Sequence, residues 1–162
     1  MDRSGLLINK SIIIKRTVLC LLTALIIGFI FYNSSLDADL SSEDSMSVRA
    51  MLNSILKMVK IDFELSENFV RKLAHFVEYF VLGSLMYFTA RSFDLRRRGC
   101  AFLVPLSGFL IASIDETIQI FSVGRSGQFT DVLLDFIGVI IAVFIISVIS
   151  NILIKKDKEV LN

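Results

Sequence analysis

Residues 113–138 read SIDETIQIFSVGRSGQFTDVLLDFIG and join two apolar segments, near residues 100–114 and 136–154. Each flanking segment, with its polar shoulder, is long enough to cross a hydrocarbon layer of about 30 Å as a helix. The quoted residues therefore predict a helix end, a tight glycine-containing turn and a helix start. Ionisable side chains near hydrocarbon are costly, so they usually face the protein interior and mark functional sites. Six polar side chains lie at this junction: Asp115, Glu116, Gln119, Arg125, Asp131 and Asp135.

The composition indicates an integral membrane protein. Of 162 residues, 54% are hydrophobic, and they come in long blocks rather than in the short alternations of a soluble domain. The net charge of +1 indicates no particular charged partner, because the charges are segregated by loop. The two cysteines, Cys20 and Cys100, form neither a disulfide framework nor a metal-spaced pair.

Four membrane-spanning helices are predicted, at residues 12–32, 69–93, 99–121 and 132–154. The first follows a basic N-terminal segment, a combination that also occurs in secretory signal peptides. No small-residue cleavage site follows it, so we favour an uncleaved helix. The second carries four ionisable residues in its first third: Arg71, Lys72, His75 and Glu78.

The segment at residues 33–68 contains seven acidic residues and an amphipathic helix near residues 46–60. That helix either lies in the bilayer interface or packs across the ends of the bundle, and we favour the packing role. Three residues upstream are candidate N-caps: Ser41, Ser42 and Asp44. Its apolar stripe consists of Val48, Met51, Leu52, Ile55, Leu56 and Val59. The predicted fold is therefore an all-α, four-helix transmembrane bundle with one extra interfacial amphipathic helix.

The basic residues predict the orientation. Eleven lie in the N-terminal segment, between the second and third spans and at the C-terminus, and six lie elsewhere. Basic loops stay in the cytoplasm, so both termini are predicted to be cytoplasmic in a multi-pass protein of the cell membrane. Polar groups of the second, third and fourth spans then share one level on the non-cytoplasmic side. The Gly138-x-x-x-Ala142 pair predicts a close approach of the fourth span to a neighbour.

Three sequence blocks, RKLAHFVEYFVLGSL (71–85), DETIQIFSVGR (115–125) and DVLLDFIG (131–138), resemble the VanZ-like family of bacterial membrane proteins. The resemblance covers about residues 69–145, and the order of the blocks is more specific than any block alone. It implies a small multi-spanning envelope protein; the founding member is associated with low-level teicoplanin resistance. Val123 stands where the family often has proline, and Asp135 where asparagine is common. The matching positions are Lys72, His75, Tyr79, Asp115, Glu116, Gln119, Arg125, Asp131, Asp135 and Gly138.

The candidate site has several interpretations. Its acids and bases could form a buried network that fixes helix register, with Arg125 or Lys72 compensating the acids. They could instead bind an envelope lipid headgroup, a cell-wall precursor or a glycopeptide. A third interpretation is an enzyme acting on an envelope lipid or precursor through His75, Asp115 and Glu116, and a fourth is proton or ion movement. The candidate residues are Lys72, His75, Glu78, Asp115, Glu116, Gln119, Arg125, Asp131 and Asp135.

A non-enzymatic protein is the favoured interpretation. The sequence contains no phosphate-cradling glycine loop, nucleophile elbow or recognised serine–histidine spacing. One histidine among carboxylates is a poor zinc set, although it suits magnesium or manganese, and we predict no resident metal or cofactor. The run Arg96-Arg97-Arg98 is a determinant of membrane topology, so no nucleic-acid partner is expected. The partner predicted with the bilayer is an envelope lipid, a cell-wall precursor or a glycopeptide.

Overall fold

The computed structural model describes the backbone of residues 3–160 and the side chains of residues 10–38, 42 and 45–152. Within that part the chain forms helices and no strand, which confirms the predicted all-α class. Cys20 and Cys100 are both free. The helices are α1 (Arg3–Ser35), α2 (Ala38–Met58), α3 (Glu67–Ser92), α4 (Arg97–Phe121) and α5 (Phe129–Val160).

Four of the helices are long and apolar enough to cross a membrane, by length and composition. Their candidate spans overlap the four segments predicted from the sequence, with ends that differ by a few residues. The bundle has a cluster end, where α1 and α4 finish and α3 and α5 begin, and an opposite end at the α3–α4 loop. The spans are Lys10–Ser35, Glu67–Ser92, Arg97–Phe121 and Phe129–Ile152.

Small residues bring α3, α4 and α5 close together. A Cβ at Gly138 would lie 2.8 Å from the backbone carbonyl oxygen of Phe76, so α5 runs directly against the α3 backbone there. A Cβ at Gly83 would lie 3.2 Å from the Ala142 Cβ, and the Cβ of an alanine at Gly108 would lie 2.8 Å from the Val139 side chain. The predicted close approach of the fourth span is thus made to α3. Such small-residue contacts let helix backbones pack where lipid provides no hydrophobic drive.

Helix α1 lies at the periphery of this three-helix core and is held by polar contacts with α3. Near the opposite end, Arg16 Nε donates to the Ser92 carbonyl oxygen at 2.6 Å, and Arg16 Nη2 lies 2.9 Å from Asp94 Oδ2. Halfway along, the hydroxyls of Thr23 and Thr89 are 2.9 Å apart. Most apolar side chains of α1 stay exposed on the bundle surface, where lipid contacts them.

Helix α2 begins earlier than the sequence pattern predicts. The N-cap position is Asp37, so Ser41, Ser42 and Asp44 lie inside the helix and their prediction as N-caps is wrong. The side chains of Ser41 and Asp44 are outside the described part. The cause is a tertiary contact, because the Ala38 backbone N–H donates to the Val123 carbonyl oxygen of the α4–α5 loop at 3.0 Å.

The apolar stripe of α2 is only partly covered by the bundle. Leu52 and Leu56 are half-buried against neighbouring elements. The other four members remain exposed, so packing across the bundle accounts for part of the stripe and leaves a face suited to the bilayer interface. Those four are Val48, Met51, Ile55 and Val59.

Candidate functional site

Three helix ends and one loop bring the candidate residues to one level at the cluster end. The first turns of α3 carry Lys72, His75 and Glu78, because positions three and four apart share a helix face. The last turns of α4 carry Asp115, Glu116 and Gln119, all buried, and the start of α5 carries Asp131 and Asp135. The α4–α5 loop adds Arg125.

His75 lies between two buried carboxylates from different helices. Its Nδ1 atom is 4.0 Å from Asp115 Oδ2 on α4 and 4.0 Å from Asp135 Oδ1 on α5. Side-chain exposure is 18% for His75, 0% for Asp115 and 1% for Asp135. One nitrogen and one oxygen from each carboxylate thus lie within 4.8 Å of one another, a spacing that could hold a metal ion.

Several polar atoms around this point have no hydrogen-bond partner in the described part of the chain. Both Asp135 oxygens and Asp115 Oδ1 are buried and unpartnered, as is the Tyr79 hydroxyl. Asp115 Oδ2 accepts a long hydrogen bond, 3.4 Å, from Gln119 Nε2. Such groups are rare in folded proteins and call for a bound group, a water or a proton.

Lys72 compensates one of the acids directly. Its Nζ atom lies 2.6 Å from Asp131 Oδ1, joining the first turns of α3 and α5. The pair is partly exposed, so it faces less desolvation than a fully buried one.

Glu116 has a structural partner in the α4–α5 loop. Its Oε1 atom accepts a hydrogen bond from the backbone N–H of Gln128, which precedes α5. That N–H is among the donors a helix start leaves unpaired, and a carboxylate there complements the helix dipole. Glu116 therefore turns towards the start of α5, whereas His75 meets Asp115 and Asp135. The structure thus places His75 with Asp115 and Asp135, whereas the enzyme interpretation grouped it with Asp115 and Glu116.

Arg125 reaches across the loop to the end of α1. Its Nη1 atom donates to the carbonyl oxygens of Asn33 at 3.1 Å and Ser34 at 3.4 Å. These carbonyls end a helix, where a cation is favoured by the helix dipole. Burial, and secondly repulsion from Arg71, lower the pKa of Arg125 from its ordinary value. Even so, guanidinium remains charged in proteins. The loop around it turns at Gly124, whose φ of +74° explains a glycine there.

Two cavities flank Arg71, His75 and Arg125, which line both. The first, the polar cavity, has a volume of about 190 Å³ and is also lined by Lys72, Gln119 and Asp131. The second, the groove, has a volume of about 310 Å³ and lies between α1, α2 and α3. Its lining mixes apolar and polar side chains, including Phe29, Leu36, Val48, Val70 and Glu78.

The family model for VanZ/LLP1 matches residues 19–150, a range that includes every candidate residue. The chain belongs to the VanZ/LLP1 family. With four helices capable of spanning a membrane, this VanZ/LLP1 protein is a multi-pass membrane protein. The comparisons found no match among curated proteins and none among solved structures.

The site of this VanZ/LLP1 protein includes residues that the candidate set omits. Asn33 and Ser34, at the end of α1, contact the cluster: Asn33 Nδ2 donates to Glu78 Oε1 at 3.1 Å, and Ser34 Oγ lies 3.4 Å from Gln119 Nε2. Arg71, one residue before Lys72, lines both cavities. The polar triplet Asn33-Ser34-Ser35, ending an apolar run, is the feature of the sequence that could have indicated the contribution of α1.

Proposed function

We propose that this VanZ/LLP1 protein binds an anionic envelope ligand at the cluster end, on the non-cytoplasmic side of the membrane. The ligand class is a lipid headgroup, a cell-wall precursor or a glycopeptide with a phosphate or carboxylate group. Binding there contributes to glycopeptide resistance of the teicoplanin type or to envelope homeostasis. The orientation rests on the excess of basic residues near the opposite end and the termini.

The most direct support comes from two arginines that lie close together and have no carboxylate partner among the described side chains. Arg71 and Arg125 line the same two cavities and are close enough for Arg71 to depress the pKa of Arg125. Among the described side chains, no carboxylate oxygen lies within 4.0 Å of either guanidinium. Two like charges facing shared space, without acids to pair them, favour an anion between them.

The shape of the site favours a ligand that is polar at one end and apolar at the other. The polar cavity adds Lys72 to the two guanidiniums, whereas the groove is lined by Phe29, Val48 and other apolar side chains. An amphiphile can place its anionic group at the arginines and its apolar part along the groove. Pockets of this kind combine a mostly apolar wall with a few placed polar groups.

The alternative functions have weaker support. A purely structural network would be expected to pair its cations with its acids, and the Lys72–Asp131 pair does this. Arg125 instead binds backbone carbonyls. In the enzyme alternative, His75 and Asp115 lie 4.0 Å apart but Glu116 is engaged by the Gln128 backbone N–H.

The test is ligand binding by matched arginine variants. Arg71→Gln and Arg125→Gln, purified in nonionic detergent, are titrated by calorimetry with short-chain phosphatidylglycerol, undecaprenyl phosphate and teicoplanin. Hydrogen bonds to charged groups contribute about 1.5–3 kcal/mol each, so each variant should bind the productive ligand at least about tenfold more weakly than the parent. The control Arg49→Gln, on α2 outside both cavities, should bind as the parent does.

A parallel measurement in cells links binding to the phenotype. Teicoplanin susceptibility and membrane abundance are scored together for the parent and the three variants. Loss of protection at normal abundance in Arg71→Gln, whose guanidinium donates to exposed Asn68 at 3.1 Å, supports a binding role. Undiminished binding in both cavity variants, or equal binding of short-chain diacylglycerol, which carries no phosphate, would reject the proposal.

A further inference from the structure

Three side chains from three different helices converge at the centre of the cluster. His75 on α3, Asp115 on α4 and Asp135 on α5 place one nitrogen and two oxygens within 4.8 Å of one another. A cation equidistant from atoms spaced in this way lies roughly 2.5 Å from each, against about 2.0–2.2 Å for bound Zn²⁺. A contraction of a few tenths of an ångström, within the reach of side-chain adjustment, completes the contacts.

Asp135 provides an independent indication that something binds at this point. It is 1% exposed, and neither of its oxygens has a hydrogen-bond partner in the described part of the chain, while Oδ1 points towards His75 Nδ1. Asp115 Oδ1 is likewise buried and unpartnered. A buried carboxylate without donors is unfavourable unless it is protonated, paired or bound to a metal. Among the described residues, its nearest ionisable neighbours are the Asp115 carboxylate and the His75 imidazole, and the imidazole pairs with it as a cation only when protonated.

The charge around the three side chains also leaves room for a divalent cation. Lys72 on α3 pairs with Asp131 on α5 at 2.6 Å, so the charges of these two side chains cancel each other. Among the remaining described groups of this level, α3, α4, α5 and the loop provide four carboxylates and two guanidiniums. Among the described side chains, neither guanidinium has a carboxylate oxygen within 4.0 Å, so the two guanidiniums offset the acids only from a distance, and with all carboxylates ionised the six groups have a net charge of −2. The four are Glu78, Asp115, Glu116 and Asp135, and the two are Arg71 and Arg125.

We propose that His75, Asp115 and Asp135 form a binding site for one divalent transition-metal ion such as Mn²⁺. Imidazole and carboxylate ligands suit such ions, whereas Ca²⁺ requires six to eight oxygens. Neutral His75 binds through Nδ1 and keeps its proton on Nε2. The ion joins α3, α4 and α5 at a point where no hydrogen bond of the described side chains does so. This inference differs from the sequence-based expectation that the site holds no metal.

The ion site does not depend on the anionic ligand. Its atoms are the imidazole and two buried carboxylates, whereas the proposed ligand is held by Arg71 and Arg125. Metal binding is therefore measured on purified protein with no lipid phosphate or glycopeptide added. Failure of one proposal leaves the other standing.

The test is a Mn²⁺ titration of chelator-treated protein in nonionic detergent, followed by electron paramagnetic resonance, in which free Mn²⁺ gives the signal. The parent should bind one Mn²⁺ per chain, and Zn²⁺ should displace it. Asp135→Asn and His75→Gln should weaken binding at least tenfold. The control is Asp62→Asn, an exposed acid in the loop between α2 and α3, outside the cluster; its affinity should stay within threefold of the parent's.

Thermal unfolding provides the second readout and checks that the variants fold. Mn²⁺ at a hundred times its dissociation constant should raise the Tm of the parent and of Asp62→Asn, because it binds the folded state. It should raise the Tm of Asp135→Asn by at most about half as much, because a site at least tenfold weaker gains at most about half the binding free energy at this concentration. The proposal is overturned if the parent binds neither Mn²⁺ nor Zn²⁺ saturably, or if Asp135→Asn binds as tightly as the parent. The first result would mean that protons, on the carboxylates or on His75, balance the charge; the second would mean that the metal binds without Asp135.

Discussion

At the scale of single residues, the tightest contacts between helices occur at positions where a larger side chain would not fit. Gly138 is the sharpest example, since its Cα stands against the α3 backbone at Phe76 and Phe80. Asp135 stands one turn before it on the same face of α5, so the position of its carboxylate depends on this close approach. The glycine therefore fixes the distance between two of the three helices that carry the cluster.

Gly138→Ala should destabilise the protein through this contact. Its Cβ would lie 2.8 Å from the Phe76 carbonyl oxygen and 3.3 Å from the Phe80 nitrogen, both backbone atoms, so α3 and α5 must separate. We expect a loss of about 1–3 kcal/mol in unfolding free energy, measured by denaturant titration in mixed micelles. Gly28→Ala, with nothing within 4 Å, is the control and should leave stability unchanged or raise it by up to about 1 kcal/mol through helix propensity. Equal effects of the two changes would show that the close approach does not matter.

At the scale of helices, the periodicity of apolar residues predicted where the helices lie, but not how their ends are paired. The sequence blocks around His75 and Asp115 predicted that their polar side chains lie at one depth, because helix rise and bilayer thickness determine the depth of each residue. That His75 meets Asp135 as well as Asp115, and that Arg125 binds the α1 carbonyls, depends on helix rotation and loop path. Those are properties of tertiary packing, which no local pattern encodes. The early start of α2 at Ala38 has the same origin.

The Lys72–Asp131 pair should couple α3 to α5 energetically. A double-mutant cycle with Lys72→Met and Asp131→Asn isolates the interaction between the two side chains. Because the pair is partly buried, its coupling should exceed the about 0.2–1 kcal/mol of exposed pairs and stay below the about 3–5 kcal/mol cost of breaking a buried one. The matched control is the exposed Lys57–Glu64 pair, 3.5 Å apart, whose coupling should be near zero. A strictly additive Lys72–Asp131 cycle would contradict this expectation.

At the scale of the whole molecule, the polar and basic residues separate the two ends of the bundle. The cluster end combines buried acids with cavities, whereas the opposite end is closed by arginines that bind helix ends and loops. Arg16 donates to the Ser92 carbonyl, Arg91 donates to the Leu95 carbonyl at 2.7 Å, and Arg97 donates to Asn151. This asymmetry favours placing the arginine-closed end in the cytoplasm.

Orientation is testable with single cysteines at the two ends. In a background with Cys20→Ser and Cys100→Ser, we place Glu64→Cys before α3 and Asp94→Cys in the α3–α4 loop; both side chains are exposed. An impermeant maleimide added to intact cells should label Glu64→Cys and spare Asp94→Cys. Permeabilised cells should label both, which confirms that each thiol is reactive. Labelling of Asp94→Cys alone in intact cells would invert the topology and place the cluster on the cytoplasmic side.

The two arginine anchors of α1 have a consequence for how the protein is made. Arg16 donates to the carbonyl oxygen of Ser92, 76 residues further along the chain. The carbonyl oxygen of Asn33 accepts from Arg125, 92 residues further along. During synthesis α1 therefore enters the bilayer well before either partner has left the ribosome. Its largely exposed, apolar surface allows the helix to lie in the bilayer before the other helices pack against it. Insertion of this helix and its capture by the other three are separate events, and the second is complete only once Arg125 has been translated and its loop has reached the end of α1.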